Sequence, residues 1–129
     1  PKESIDFNGN TGPFIQYTYA RIQSILRKNN GDIKIDEDSN ITDKERALII
    51  SLLEFPKTIQ EAANSFSPAL IANYAYEVVK DFNSYYQSTS ILGADSPSII
   101  SFRVALSQQT AKVIKSSMSL LGINVPQRM

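Results

Sequence analysis

The stretch Pro13-Phe14-Ile15-Gln16-Tyr17-Thr18-Tyr19-Ala20-Arg21-Ile22-Gln23-Ser24-Ile25-Leu26-Arg27-Lys28-Asn29-Asn30-Gly31 carries the pattern that decides the fold. Ile15, Tyr19, Ile22 and Leu26 recur at spacings of four, three and four, the apolar stripe of an amphipathic helix. Pro13 opens it, because a first-turn N–H has no partner inside the helix in any case. Asn29-Asn30-Gly31 closes it with residues that tolerate the left-handed backbone of a helix end. The spacing predicts a helix over 13–29 whose stripe packs on a core. At about 100° per residue, Phe14, Tyr17, Arg21, Ser24 and Lys28 fall on a different face, well over a quarter-turn away.

Working outward, Asn8-Gly9-Asn10-Thr11-Gly12 is turn chemistry, and Asp32 to Ile41 is an acidic connector with a short Ile33/Ile35 alternation. Thr42 and Glu45 form a capping-box pattern opening a second helix, which carries Ala47, Leu48, Ile49, Leu52 and Leu53 and ends before Pro56. A short third helix carries Ile59, Ala62, Ala63 and Phe66. Ser67-Pro68 supplies an N-cap and a first-turn proline for a fourth. Its core side is Ile71, Tyr74, Ala75, Val78, Phe82 and Tyr85, with Tyr86 at the edge. A polar loop leads to the longest helix, from about Ser98 to Leu121, which Gly122 caps before an extended tail containing Pro126. About five helices, short connections and no convincing strand ladder make an all-α bundle.

At 129 residues the chain is one domain, 1–129, and its opening residue, Pro1, suggests a piece of a longer protein. With no cysteine it has no disulfide framework, thiolate metal site or nucleophilic cysteine. With no histidine it lacks the usual general base, the usual zinc ligand and every histidine-dependent triad. No apolar run approaches the ~20 residues of a membrane span, so no membrane partner is expected. Thirteen basic and thirteen acidic residues cancel, but not evenly along the chain. Residues 12–31 contain Arg21, Arg27 and Lys28 and no acid, and residues 96–129 contain Arg103, Lys112, Lys115 and Arg128 and no acid. If these segments meet, they make a basic face on a neutral protein.

Most other patterns have ordinary explanations. Asp36, Asp38 and Asn40 imitate the start of a calcium loop, but Ile41 stands where glycine must turn and Ala47 where a bidentate glutamate belongs. Glu77 and Asp81, one turn apart, read as a solvated face beside Lys80. No P-loop or dinucleotide fingerprint is present. The Phe14/Tyr17/Arg21/Lys28 face has two readings. It is a platform on which unpaired RNA bases stack, each worth ~1–3 kcal/mol on alanine replacement, or its rings pack under a neighbouring helix or a further domain.

The run Asp6-Phe7-Asn8-Gly9-Asn10-Thr11-Gly12-Pro13-Phe14-Ile15-Gln16-Tyr17-Thr18-Tyr19-Ala20-Arg21 closely resembles the segment that opens the C-terminal anticodon-binding domain of arginyl-tRNA synthetases. The resemblance continues in order through Leu53-Glu54-Phe55-Pro56, Ala62-Ala63, Tyr74-Ala75-Tyr76-Glu77, Phe82-Asn83-Ser84-Tyr85-Tyr86, Arg103-Val104-Ala105-Leu106 and Leu120-Leu121-Gly122-Ile123 to Pro126-Gln127-Arg128-Met129. It implies an all-α domain of the DALR class that grips the anticodon stem and loop of arginine tRNA. The family's anticodon contacts fall here on Phe14, Tyr17, Arg21, Tyr86 and Met129. Lys28 and Arg128 are added as candidate phosphate contacts. Three departures stand out. Phe14 replaces a frequent tyrosine, Gln127 replaces a usual glutamate, and the tetrapeptide that names the class reads Ile100-Ser101-Phe102-Arg103, so only Arg103 can inherit a role, a structural one.

The resemblance also implies what is missing. The full-length enzyme attaches arginine to its tRNA using ATP with Mg2+, through His-Ile-Gly-His and Lys-Met-Ser-Lys-Ser signatures on a catalytic domain. The first cannot exist without histidine, and Lys115-Ser116-Ser117-Met118-Ser119 only scrambles the second. The chain alone is therefore expected to need no cofactor and to be inactive. It is expected to be cytoplasmic and monomeric, and to join the catalytic domain in the full-length protein. The alternative is a helical protein–protein interaction module without RNA binding.

Overall fold

The computed structural model describes residues 11–35 and 40–128. Among them five helices follow one another: α1 (Thr11–Lys28), α2 (Asp43–Leu53), α3 (Phe55–Ser65), α4 (Pro68–Ser88) and α5 (Pro97–Leu120). Only Glu54 separates α2 from α3, and its backbone stays right-handed (φ −77°, ψ −8°), so the pair can also be counted as one bent helix in a bundle of four. The bend has a local cause. Pro56 has no N–H to return to the Leu52 carbonyl. The Glu54 N–H turns back to the Ser51 and Leu52 carbonyls, and the Tyr74 hydroxyl donates to the same pair, at 2.7 Å to Ser51 and 3.4 Å to Leu52.

The ends of the helices follow local chemistry. Thr42 and Glu45 close a reciprocal capping box on α2, Glu45 N–H to Thr42 Oγ1 at 3.1 Å and Thr42 N–H to Glu45 Oε1 at 2.9 Å. Gly122, at φ +76°, ends α5, with Ile123 N–H reaching back to the Met118 carbonyl at 2.9 Å. Ser67 occupies the N-cap position of α4 without making a side-chain cap bond. Ser96 caps α5 instead of Ser98 opening it, and Pro97 takes the first turn. The described part of α1 is already helical at Thr11, two residues ahead of the expected start at Pro13.

α1, α4 and α5 enclose the core, where Ile15, Ile22, Val78, Phe82, Val104 and Ile114 are fully buried. α2 lies across α4 and α5 and contributes Leu48, whereas α3 rests on α4 and buries only Ala62. The apolar pattern overestimates burial in these two helices: Ala47 and Ala63 are exposed, Leu53 is 71% exposed, and Phe66 is 93% exposed at a left-handed φ of 52°. Each has only one buried side, so alternate apolar positions reach solvent. On α1 the buried face is wider than one stripe because α4 and α5 both pack on it: Ile25 is buried and Leu26 half-buried. Among the described residues no helix is long and apolar enough to cross a membrane. The tail turns back along α1, with the Gln16 amide donating to the Asn124 carbonyl and Arg27 to the Gln127 carbonyl, each at 3.2 Å.

Candidate nucleic-acid interface

Tyr17 and Arg21 stand one turn apart on α1, and Tyr86 lies near the end of α4. Packing of α1 on α4 brings them together. The Arg21 guanidinium carbon lies over both rings, 5.0 Å from the Tyr17 centroid and 4.6 Å from that of Tyr86. Nη2 of Arg21 also donates to the Tyr17 hydroxyl at 3.3 Å, and Nη1 donates to Asn83 Oδ1 at 2.6 Å. Tyr86 is itself stacked on buried Phe82, with centroids 6.2 Å apart and planes at 26°. Its aromatic surface is thus largely engaged within the protein. Tyr17, 49% exposed, is the more open ring.

The cluster forms one wall of a cleft of about 550 Å³ that continues past Ser24 to Arg27, Lys28 and Arg128. Among the described residues, four cations and no acid line it. The acid-free segments therefore do meet, in part. Arg27, Lys28 and Arg128 come together here, while Lys115 lines a separate groove against Phe55 and Ile59. Arg103 turns inward instead: Nε donates to Glu45 Oε2 at 2.8 Å and Nη1 to the Ser90 carbonyl at 2.7 Å. A larger cleft of about 690 Å³ adjoins the first at Lys28 and Leu92. It is lined by the connector after α1, including Asp32, and among the described residues holds no aromatic or guanidinium group, so its size does not make it the better site.

Phe14 parts company with Tyr17. Its ring is half-buried against the core and meets Tyr76 edge-on at 6.2 Å. A helical wheel separates it from the narrow stripe, but the broad contact of α1 with two helices draws it inward. Met129 lies outside the described residues, as do Asp36 and Asp38 of the calcium-like pattern.

Buried Glu45 sits at the centre of a second network. Burial alone would raise its carboxyl, but hydrogen bonds from the Thr42 N–H, the Tyr85 hydroxyl and Arg103 outweigh that and hold it below the ordinary value of 4.5. The Tyr85 hydroxyl, buried and donating to Glu45 Oε2 at 2.7 Å, is pushed well above the ordinary tyrosine value. This network anchors Ser90 in the loop that follows α4.

Sequence comparison decides the family. The model of the DALR anticodon binding domain matches residues 15–129. The chain belongs to this family. As a DALR domain it is 56% identical over 129 residues to an arginine–tRNA ligase of Flavobacterium psychrophilum, a match covering all of this chain and 22% of that protein. It is 50% identical over 134 positions to an arginine–tRNA ligase of Parabacteroides distasonis, with the same coverage. Its fold is similar to part of the arginyl-tRNA synthetase of Thermus thermophilus, at TM-score 0.86 and 34% identity over 96% of this chain and 22% of that one. The arginyl-tRNA synthetase of Plasmodium falciparum is similar at TM-score 0.80 and 27% identity, with the same coverage. The DALR domain thus spans about a fifth of the length of the curated relatives it matches.

Two residues of the site escaped the sequence reading, Asn83 and Thr18, both buried behind Arg21. A signal existed for Asn83: it lies one turn after Val79 and directly after Phe82, on the buried side of α4, where an amide needs partners. Nothing in the sequence marked Thr18 as its partner.

Proposed function

We propose that this DALR domain recognises the anticodon stem and loop of arginine tRNA as the C-terminal part, 1–129, of a cytoplasmic arginine–tRNA ligase. The observation that carries this reading is the Tyr17–Arg21–Tyr86 cluster opening onto a cleft lined, among the described residues, by four cations and no acid. An unpaired base stacks on the open face of Tyr17, while Arg21 offers charged donors to a base edge or phosphate. Tyr86 backs Arg21, Lys28 and Arg128 face the RNA backbone, and Phe14 supports the start of α1 from beneath. Met129 joins the contact from the end of the tail.

Amino-acid activation belongs to the rest of the longer enzyme, where ATP and Mg2+ would bind. The residues here do not fit that role: Ser117 and Met118 of the scrambled signature are buried in α5, and the chain has no histidine. The isolated chain is a monomer and shows no arginine-dependent exchange of pyrophosphate into ATP. Docking of another protein on exposed aromatic rings is the competing use of this face, and the four surrounding cations argue for RNA.

Titration with arginine tRNA and with a non-cognate tRNA at two salt concentrations tests the reading. Preference for arginine tRNA with steep weakening by salt supports it, since each neutralised phosphate releases counterions. Equal affinity for both RNAs, or binding indifferent to salt, overturns it.

A further inference from the structure

Asn83 lies beneath the cleft, 8% exposed, with both ends of its amide committed. Its Nδ2 donates to Thr18 Oγ1 at 2.8 Å and to the Val79 carbonyl at 2.9 Å, and its Oδ1 accepts from Arg21 Nη1 at 2.6 Å. The Thr18 hydroxyl donates to the Phe14 carbonyl at 2.9 Å, so toward Asn83 it can only accept. The direction of every bond is therefore set from the α1 backbone outward, through Thr18 and Asn83 to Arg21. A flipped amide would set NH2 against the guanidinium and oxygen against the Val79 carbonyl, leaving buried polar groups unsatisfied.

We propose that Asn83, backed by Thr18, is a positioning residue for RNA recognition, holding the Arg21 guanidinium in place over Tyr17 and Tyr86 before RNA arrives. The proposal rests on the RNA-binding reading above. Its physical content is preorganisation: a long arginine side chain ordered only on binding loses rotamer freedom at that moment, and one already fixed does not. The short bond to Asn83, with the longer one to the Tyr17 hydroxyl, also fixes the plane of the guanidinium, which stacking on ring faces alone would leave free to rotate.

A double-mutant cycle separates this role from general support of the fold. Asn83→Ala weakens binding of arginine tRNA about tenfold in the otherwise unchanged chain and less than about twofold in an Arg21→Ala background, as expected for a charged hydrogen bond acting through Arg21. Equal losses in both backgrounds overturn the proposal. Thr18→Val, which keeps the side-chain shape, produces a smaller loss with the same dependence on Arg21, and Thr18→Ser restores binding. This pair keeps the test intact if Asn83→Ala fails to fold. Nitrogen NMR of the Arg21 guanidinium gives a readout without RNA: slow rotation about its C–N bonds in the unaltered chain, fast rotation in Asn83→Ala or Thr18→Val. Fast rotation in the unaltered chain overturns positioning directly. Slow rotation combined with no effect of Arg21→Ala on tRNA affinity sinks the RNA reading and the proposed role with it, while the geometry stands.

Discussion

Glu45 and Arg103 meet at 2.8 Å in the interior, 58 residues apart in sequence, with 2% and 17% of their side chains exposed. Arg103 spans from this carboxylate to the Ser90 carbonyl, tying the first turn of α2 to α5 and to the loop after α4. Removing one partner leaves the other charge buried and unpaired, so Arg103→Ala costs about 3–5 kcal/mol of stability in chemical denaturation. A cost within about 0.5 kcal/mol would show that the pair adds nothing.

The same carboxylate makes stability depend on acid. Its folded-state pKa is lowered, so the unfolded chain binds the proton more readily. Its contribution is complete above the ordinary value of 4.5 and is lost as pH falls through the lowered folded value. Thermal melts of Glu45→Gln should be lower than those of the unaltered chain at neutral pH, and the gap should narrow below pH 4.5. A gap that widens in acid contradicts the sign.

Tyr17 is exposed and off the core, so Tyr17→Ala should change stability by no more than about 0.5 kcal/mol. It should nevertheless weaken tRNA binding by roughly 1–3 kcal/mol, the value of one stacked base. Tyr17→Phe keeps the ring and loses only the acceptor of the 3.3 Å bond from Arg21, so its loss is smaller. Ile22→Ala, at a fully buried position, should cost ~2–5 kcal/mol of stability. A Tyr17→Ala protein melting far below the unaltered chain would place Tyr17 in the core.

Phe14 should behave in the opposite way. Its ring is half-buried against Tyr76, so Phe14→Ala should cost roughly 3 kcal/mol of stability. Phe14→Leu keeps most of the apolar volume and should leave tRNA affinity within about twofold of the unaltered chain. A tenfold loss in a fully folded Phe14→Leu protein would mean that the ring itself stacks on a base.

Tyr74 links α4 to the bend between α2 and α3. Burial, with a smaller contribution from the Glu54 charge, pushes its hydroxyl up to about 12. A folded-state value above the unfolded one gives stability that is complete below the ordinary 10.0 and is lost as pH rises toward about 12. Tyr74→Phe should cost ~1 kcal/mol at neutral pH through the lost bond to Ser51, and should make the alkaline decline shallower. The decline persists in part, because Tyr85 is raised as well. An unchanged alkaline limb would show that Tyr74 titrates as in solvent.

Much of this was legible in the chain itself. The Ile15/Tyr19/Ile22 periodicity, the Thr42–Glu45 capping box, the proline after each of Phe55 and Ser67, and Gly122 are all local signals. Local signals reach only a turn or two along the backbone, which is enough to set where helices start, stop and present an apolar side. They placed Tyr17 and Arg21 on one face because four residues of helix return to the same side.

The pairing of those two with Tyr86, the inward turn of Phe14 and Arg103, and the relay from Thr18 through Asn83 to Arg21 join residues from separate helices. Arg21 and Asn83 stand 62 positions apart, and no spacing along the sequence connects them. Which polar group meets which depends on how α1, α4 and α5 settle against one another, and that is fixed by the packing of the whole core. The sequence by itself determined the helices and the chemistry each one carries. The tertiary structure alone decided that Arg21 is held over two rings by a buried amide.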